Sequence, residues 1–211
     1  MDLEALKEAV VAGDVKGATL LTEVAIQAGH APAAILNDAL VPAMEIVGDK
    51  FRCNEVYVPE VLVAARAMKK SLALLKPLLT QSGVKPVATA VIGTVKGDLH
   101  DIGKNLVCMM LEGAGFEVVD LGADVTPEKF VQAAKDTEAK LLGISTLLTT
   151  TMLGMKDVVR ALEQAKLREQ VKVMVGGAPV TQAFADEIGA DAYGESAAVA
   201  VGKARELLGI R

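Results

Sequence analysis

The sequence predicts an α/β protein in two parts. A helical bundle fills residues 1–84, and a doubly wound, five-stranded parallel sheet fills residues 85–211. Three observations lead there. Up to about residue 80 the apolar residues recur at helical spacing, and nothing alternates as a strand would. Beyond that point, short runs rich in Val, Ala and Ile alternate five times with helix-patterned segments, the signature of serial βα units. Hydrophobic residues make up 52% of the chain but aromatics only 3%, so the core is aliphatic, as suits helices on a buried parallel sheet.

Taken in order, residues 2–28 read as two helices with Gly13-Asp14 as their turn and Asp14 as a cap. His30-Ala31-Pro32 opens a third helix, since proline fits a first helical turn, and that helix runs through Leu36 and Leu40 to end at Gly48. Val58-Pro59 opens a fourth, with Val61, Leu62, Ala65, Met68, Leu72 and Leu75 as its apolar stripe. Thr80–Pro86 is a polar linker punctuated by Gly and Pro. Strands are expected at Val87–Val95, Phe116–Leu121, Leu141–Leu147, Val171–Val175 and Ala190–Tyr193, and helices at 102–114, 127–138, 152–168, 179–188 and 195–208. Such a flavodoxin- or Rossmann-like sheet binds ligands outside the carboxyl ends of its strands.

Composition excludes several classes. Net charge is −5 and Lys and Arg form no cluster, which argues against a nucleic-acid surface. The N-terminus, Met1-Asp2-Leu3-Glu4, is acidic and unlike a signal peptide, and no uncharged apolar run approaches the ~18 residues of a membrane span. Cys53 and Cys108 lie far apart, match no zinc spacing and read as buried thiols of a reducing compartment. The expectation is a cytoplasmic protein that engages neither nucleic acid nor membrane.

The stretch that carries chemistry is Gly97-Asp98-Leu99-His100-Asp101-Ile102-Gly103, on the loop after the first strand. It presents one imidazole between two carboxylates. His100 can bind a metal through one ring nitrogen while the other donates to Asp98, which would orient the ring and raise its basicity. Alternatively Asp98 caps the following helix and His100 is an ordinary loop residue; the local sequence leaves both open. A zinc hydrolase needs three or four ligands, and the only other histidine, His30, falls in the helical part. A dinucleotide fingerprint is absent, because Gly93, Gly97 and Gly103 have the wrong spacing. Two further strand-end loops supply hydroxyls (Ser145 to Thr151, where Thr151 can also serve as a helix cap) and a close backbone approach at Gly176-Gly177. A metal with one protein ligand must bring its remaining ligands with it, as a macrocyclic cofactor does.

The spacing of these blocks resembles a known family. Asp98-x-His100-x-x-Gly103 is followed after 41 residues by Ser145-x-Leu147, and after 28 more by Gly176-Gly177. The pattern is similar to the cobalamin-binding module of cobalamin-dependent methionine synthase. It is more similar still to the free-standing corrinoid proteins of methanol, methylamine and other methyl-donor methyltransferase systems. The likeness extends through the helical part, in Asp38–Met44, Val47–Phe51, Tyr57–Val61 and Ala67–Lys69, which look like that family's cap domain.

The resemblance implies cobalamin, as methylcobalamin or a related corrinoid, bound with its own benzimidazole displaced and His100 as the lower ligand of cobalt. Asp98 would orient His100, and Thr151, where methionine synthase has a serine, would complete a His100–Asp98–Thr151 relay. Asp101 and Gly103 belong to the same motif loop. Ser145, Leu147 and Thr149 would line the channel for the nucleotide tail, with Gly176, Gly177 and Ala197 beside it. Phe51 and Val58 would cover the upper face of the corrin, with Asn37 near its edge; methionine synthase has a leucine and a glutamate where this chain has Val58 and Asn37.

The function so implied is a methyl carrier whose cobalt cycles between Co(I) and methyl-Co(III). No residue looks placed to activate a methyl donor. The chain would therefore be non-catalytic alone and work with a substrate:corrinoid methyltransferase, an acceptor methyltransferase of the tetrahydrofolate or thiol type, and a corrinoid reductive activator. Two alternatives are a cobalamin-binding subunit of a mutase, whose small form lacks a helical cap, and a cobalamin sensor, which would need a DNA-binding module that is not evident here.

Overall fold

In the computed structural model, which describes residues 3–83 and 85–210, the chain divides into two compact units. One comprises Met1–Pro86 with the short stretch Glu112–Gly115, the other Val87–Leu111 with Phe116–Arg211. Asp2 at the expected start of the first helix, Val84 at the expected domain boundary within the linker, and Arg211 lie outside the described residues.

In the helical unit, α1 (Leu3–Val11) and α2 (Val15–Gln27) are joined through Gly13, whose φ of 70° suits glycine. Asp14 caps α2, its Oδ1 accepting the Gly17 N–H at 3.0 Å. The third helix departs from expectation. It begins as α3 (Pro32–Ile35), widens into a single π-turn over Leu36–Leu40 and resumes as α4 (Val41–Arg52) instead of ending at Gly48. Pro42 accounts for the π-turn: a proline ring within a helix clashes with the carbonyl four residues back, and the wider turn makes room for it. Gly48 is buried inside α4, so its lack of a side chain serves packing and does not stop the helix. Phe51 therefore sits in the last turn of α4, not in a connecting turn. The long α5 (Val58–Gln81) starts with Pro59 in its first turn, and Glu60 reaches back to the Tyr57 N–H at 3.0 Å. Leu6, Val10, Ile35, Leu40, Met68 and Leu75 are the buried centre of this unit.

In the other unit, five parallel strands are found at β1 (Thr89–Thr94), β2 (Glu117–Asp120), β3 (Leu141–Ser145), β4 (Lys172–Gly176) and β5 (Ala192–Gly194). They alternate with α6 (Ile102–Gly113), α7 (Pro127–Asp136), α8 (Leu153–Gln164), α9 (Gln182–Ile188) and α10 (Ala197–Leu207). The strand order is β2-β1-β3-β4-β5. The chain thus reverses its winding between β1 and β3. The loops leaving those neighbours diverge there and open a crevice at the carboxyl edge. Val91, Leu142, Val173, Phe130, Met155 and Leu162 form part of an aliphatic core on one face of the sheet. Gly93, one of the glycines that fits no dinucleotide fingerprint, is explained by that core: a Cβ there would lie 2.8 Å from the Phe130 ring.

Of the two cysteines, Cys108 is buried as expected, but Cys53 is exposed, because it forms the C-cap of α4 beyond the packed face. Among the described residues no helix is long and apolar enough to cross a membrane.

Candidate functional site

The crevice between β1 and β3 holds the site. The β1 loop carries Asp98 and His100, and the β3 loop runs from Thr146 to Met152 before α8. Asp98 is fully buried and is the hub between them. Its Oδ1 accepts two hydrogen bonds from His100, one from the backbone N–H at 2.9 Å and one from ring Nδ1 at 2.8 Å. Its Oδ2 accepts the Leu147 N–H at 2.7 Å and the Thr146 hydroxyl at 2.9 Å, with the Thr151 hydroxyl at 3.2 Å and the Leu148 N–H at 3.3 Å behind them.

Burial pushes the Asp98 carboxyl up, yet the N–H groups of Leu147 and His100, the His100 ring and the Thr146 hydroxyl outweigh it. They hold Asp98 well below the usual carboxylate range. Asp98 is therefore ionised and can only accept. The ring nitrogen facing it must carry a proton, and in the neutral imidazole the lone pair is then on Nε2. The imidazole is 52% exposed, so that lone pair is reachable. The Asp98 oxygens are engaged by His100 and the β3 loop, and Thr151 does not cap α8, whose N-cap is Met152 with no side-chain hydrogen bond.

Three residues to which the sequence assigned no role hold the two loops. Thr146 belongs to the hydroxyl-bearing strand-end loop Ser145-Thr146-Leu147, but no role was assigned to it there. Thr94, buried at the end of β1, donates from its hydroxyl to the His100 carbonyl at 3.0 Å. Asp124 takes a left-handed φ of 55°; its carboxylate accepts the Gly97 N–H at 2.8 Å, and its own N–H donates to the Asp98 carbonyl at 3.0 Å. The motif loop is thus tied at Gly97, Asp98 and His100 before any ligand arrives. Lys104, also unforeseen, is buried in α6 and pairs with the Asp120 carboxylate at 2.5 Å and Asn105 Oδ1 at 2.6 Å, anchoring α6 to the end of β2. Only the charge of a buried lysine could have signalled it, and sequence alone does not reveal burial.

Beside the network lies a cavity of about 390 Å³. Among the expected residues Gly103, Ser145, Gly176, Gly177 and Ala197 line it. Asp101 and Thr149 are exposed and outside its lining, and Leu147 joins the site through its backbone N–H. Asn37, Phe51 and Val58 belong to the helical unit: Asn37 is exposed in the π-turn, Phe51 is half-buried and Val58 is exposed at the start of α5. The glycine pair also has a reason internal to the fold. A Cβ on Gly177, whose φ is 131°, would lie 1.7 Å from the Thr146 carbonyl oxygen, and one on Gly176 would lie 2.9 Å from that of Gly194. Gly103 differs, because a Cβ there meets nothing within 4 Å.

Several observations fit a corrinoid. The single oriented imidazole matches a metal that brings its other ligands, and among the described residues no group of three or more His, Cys, Asp or Glu side chains could hold a metal by itself. Around it, Leu99 (77% exposed), Ile102, Leu147, Leu148 and Leu153 display large apolar surfaces. A cluster of exposed aliphatic side chains at a cleft marks a surface meant to be covered. Gly103 leaves open space where a side chain would stand in the cavity.

Comparison with known proteins agrees with this geometry. A B12 binding domain family matches residues 88–202, and a second B12 binding domain family matches residues 2–76. The chain is 49% identical over 177 residues to dimethylamine corrinoid protein 3 of Methanosarcina acetivorans, covering 84% of this chain and 83% of that relative. It is 43% identical over 204 residues to trimethylamine corrinoid protein 1 of the same organism, covering 96% and 94%. Among solved structures it is similar to a chain of the methanol:cobalamin methyltransferase complex of Methanosarcina barkeri, at 31% identity and a TM-score of 0.88, covering 98% of this chain and 79% of that one.

Proposed function

The chain belongs to the B12-binding corrinoid proteins of methylamine methyltransferase systems, and we propose that it carries a methyl group between two partner methyltransferases. Its cofactor is a corrinoid. The cobalt, when bound, supplies the nucleophile that takes up and gives away the methyl group; the protein supplies binding, orientation and electrostatics. The observation that carries the reading is the imidazole of His100, held through Nδ1 by an ionised, buried Asp98 while the ring itself stays open to solvent.

In this proposal His100 is the lower axial ligand and the benzimidazole of the cofactor is displaced from cobalt. Asp98 fixes the ring tautomer and makes Nε2 a stronger donor. The exposed aliphatic side chains of Leu99, Ile102, Leu147, Leu148 and Leu153 take up the apolar surface of the corrin; complete burial of a fully exposed leucine or isoleucine is worth roughly 1.5–3 kcal/mol, and these gain the part still exposed. The cavity lined by Gly103, Ser145, Gly176, Gly177 and Ala197 would receive the nucleotide tail, and Asp101 and Thr149 are assigned to cofactor binding by the family likeness. Were the imidazole freed from the metal, Asp98 would be placed to hold a proton on it through the Nδ1–Oδ1 contact. The assignment of Phe51, Val58 and Asn37 to the upper face of the corrin is kept in the same proposal and rests on the family likeness alone.

The methyl donor is of the class that the relatives' names give, dimethylamine or trimethylamine, delivered by a substrate:corrinoid methyltransferase in the cytoplasm. The acceptor methyltransferase and a reductive activator complete the cycle. The test is a single turnover: the corrinoid-loaded, chemically reduced protein is mixed with a methylamine:corrinoid methyltransferase and each amine in turn. Spectral conversion dependent on amine and enzyme together supports the carrier. Stable corrinoid binding without conversion by any amine or by methanol would favour the sensor.

A further inference from the structure

The resemblance places one hydroxyl, that of Thr151, at the far side of Asp98. The structure places two there, and the nearer belongs to Thr146. We propose that Thr146 is the positioning residue for Asp98, and through it for His100, with Thr151 one hydrogen bond farther out. The proposal rests on the reading of His100 as the axial ligand.

Proton placement decides the order. Asp98 Oδ2 accepts only, and each threonine hydroxyl has one proton. The Thr146 hydroxyl lies 2.9 Å from Oδ2, within the usual range of an O–H to oxygen bond, whereas Thr151 at 3.2 Å lies beyond it. If Thr151 alone supplied the proton, the Thr146 oxygen would face the carboxylate at 2.9 Å with its own proton turned elsewhere, and if both donated, the two threonine oxygens would meet at 2.7 Å with no proton between them. With Thr146 donating to Asp98, its oxygen is free to accept from Thr151 at 2.7 Å, or Thr151 can donate to the Leu148 carbonyl at 3.0 Å. Every proton then has a partner, and when Thr151 donates to Thr146 its contacts left without a proton, to Asp98 at 3.2 Å and to the Leu148 carbonyl at 3.0 Å, are longer than the two bonds made.

Burial and support point the same way. Thr146 is 1% exposed, so no bulk water replaces a lost bond, while Thr151 is half-buried and can turn to solvent. The backbone of Thr146 is also fixed by β4: its N–H donates to the Gly176 carbonyl at 3.2 Å, and its own carbonyl oxygen fills the space that a side chain on Gly177 would need. A hydroxyl on so rigid a support sets a carboxylate more precisely than one from the open turn at Thr151. Without it, Oδ2 keeps only the Leu147 N–H at close range, and the carboxylate that orients the imidazole can rotate.

The experiment compares Thr146→Val, Thr146→Ala, Thr146→Ser and Thr151→Val in cobalamin-loaded protein carrying ¹⁵N-histidine. Three quantities are read: the fraction of Co(II) showing histidine-nitrogen hyperfine coupling, the rate of cobalamin release, and the melting temperature of the apo-protein. The expected result is a lower histidine-coordinated fraction and a release about 10-fold faster or more for Thr146→Val. Thr146→Ser should recover the wild-type values, and Thr151→Val should show the smaller loss. Should the valine variant fail to fold, Thr146→Ala removes the same hydroxyl and is read in its place. Equal or greater loss in Thr151→Val, wild-type coordination without the Thr146 hydroxyl, or a fall in melting temperature with coordination unchanged would each overturn the proposal. Absence of histidine coupling in the wild type would instead overturn the axial-ligand reading beneath it.

Discussion

Asp98 and His100 are joined twice through one oxygen: Asp98 Oδ1 accepts both the backbone N–H and the ring Nδ1 of His100, at 2.9 and 2.8 Å. The first bond fixes the turn and the second fixes the ring. Backbone and imidazole therefore cannot be moved independently, and a ligand on Nε2 is aimed by the same carboxylate that shapes the loop. Asp98→Asn keeps the shape but presents an amide that can direct its own N–H groups at donors. Corrinoid affinity should fall by about 10–100-fold, the usual effect of an outer-shell change. Equilibrium binding of cobalamin to the apo-protein measures it, and unchanged affinity would show that the double link is not used.

The same carboxylate makes a pH prediction. Its folded-state pKa lies below its unfolded value, so the unfolded chain binds more protons between the two and stability rises with pH there. The contribution of Asp98 is fully present above the unfolded value of about 3.9 and is lost as pH falls through the folded one. Denaturant unfolding of the apo-protein from pH 6 down should show this acid limb, and Asp98→Asn should flatten it. An identical pH slope in the variant contradicts the assignment.

Gly103 and Gly177 should part company. Gly103→Ala adds a methyl group that meets no protein atom within 4 Å and sits in the first turn of α6. The apo-protein should be as stable or gain up to ~1 kcal/mol, while corrinoid binding weakens. Gly177→Ala forces a side chain at φ 131° onto the Thr146 carbonyl, so the apo-protein itself should lose about 3 kcal/mol or more. Melting curves and cobalamin titrations of both variants separate a glycine kept for the ligand from one required by the fold.

Thr94→Val tests the tether behind the histidine. It keeps the β-branched shape at the buried end of β1 but removes the hydrogen bond to the His100 carbonyl. A cost of about 1 kcal/mol to the apo-protein is expected, with faster release of bound corrinoid. A stability loss with release unaffected would show the tether to be structural only.

The five strands and the strand-end placement of the motif were legible because each strand is a short aliphatic run set off by glycine or polar residues. The parallel order then follows from the βα alternation. The helix running past Gly48 was not legible, since whether a glycine ends a helix or lets one pack closely depends on what lies against it. Asp98 and His100 were visible from their spacing. Thr146 was visible only as one hydroxyl of its loop, and Thr94 and Asp124 not at all, because the roles of all three come from the register of β1 against β3 and from one left-handed turn. The pair Gly176-Gly177 was read for ligand approach, but the near neighbour of each is the protein's own backbone.

The central claim is that His100 is the lower axial ligand of a corrinoid whose benzimidazole is displaced. The protein should be produced with ¹⁵N-histidine, loaded with unlabelled cobalamin, reduced to Co(II) and measured by EPR. With only two histidines in the chain, His100→Ala identifies the source of any coupling. The account predicts hyperfine splitting from one histidine nitrogen that changes with the label and vanishes in His100→Ala. Splitting insensitive to the label, arising from the cofactor's own benzimidazole, would contradict it.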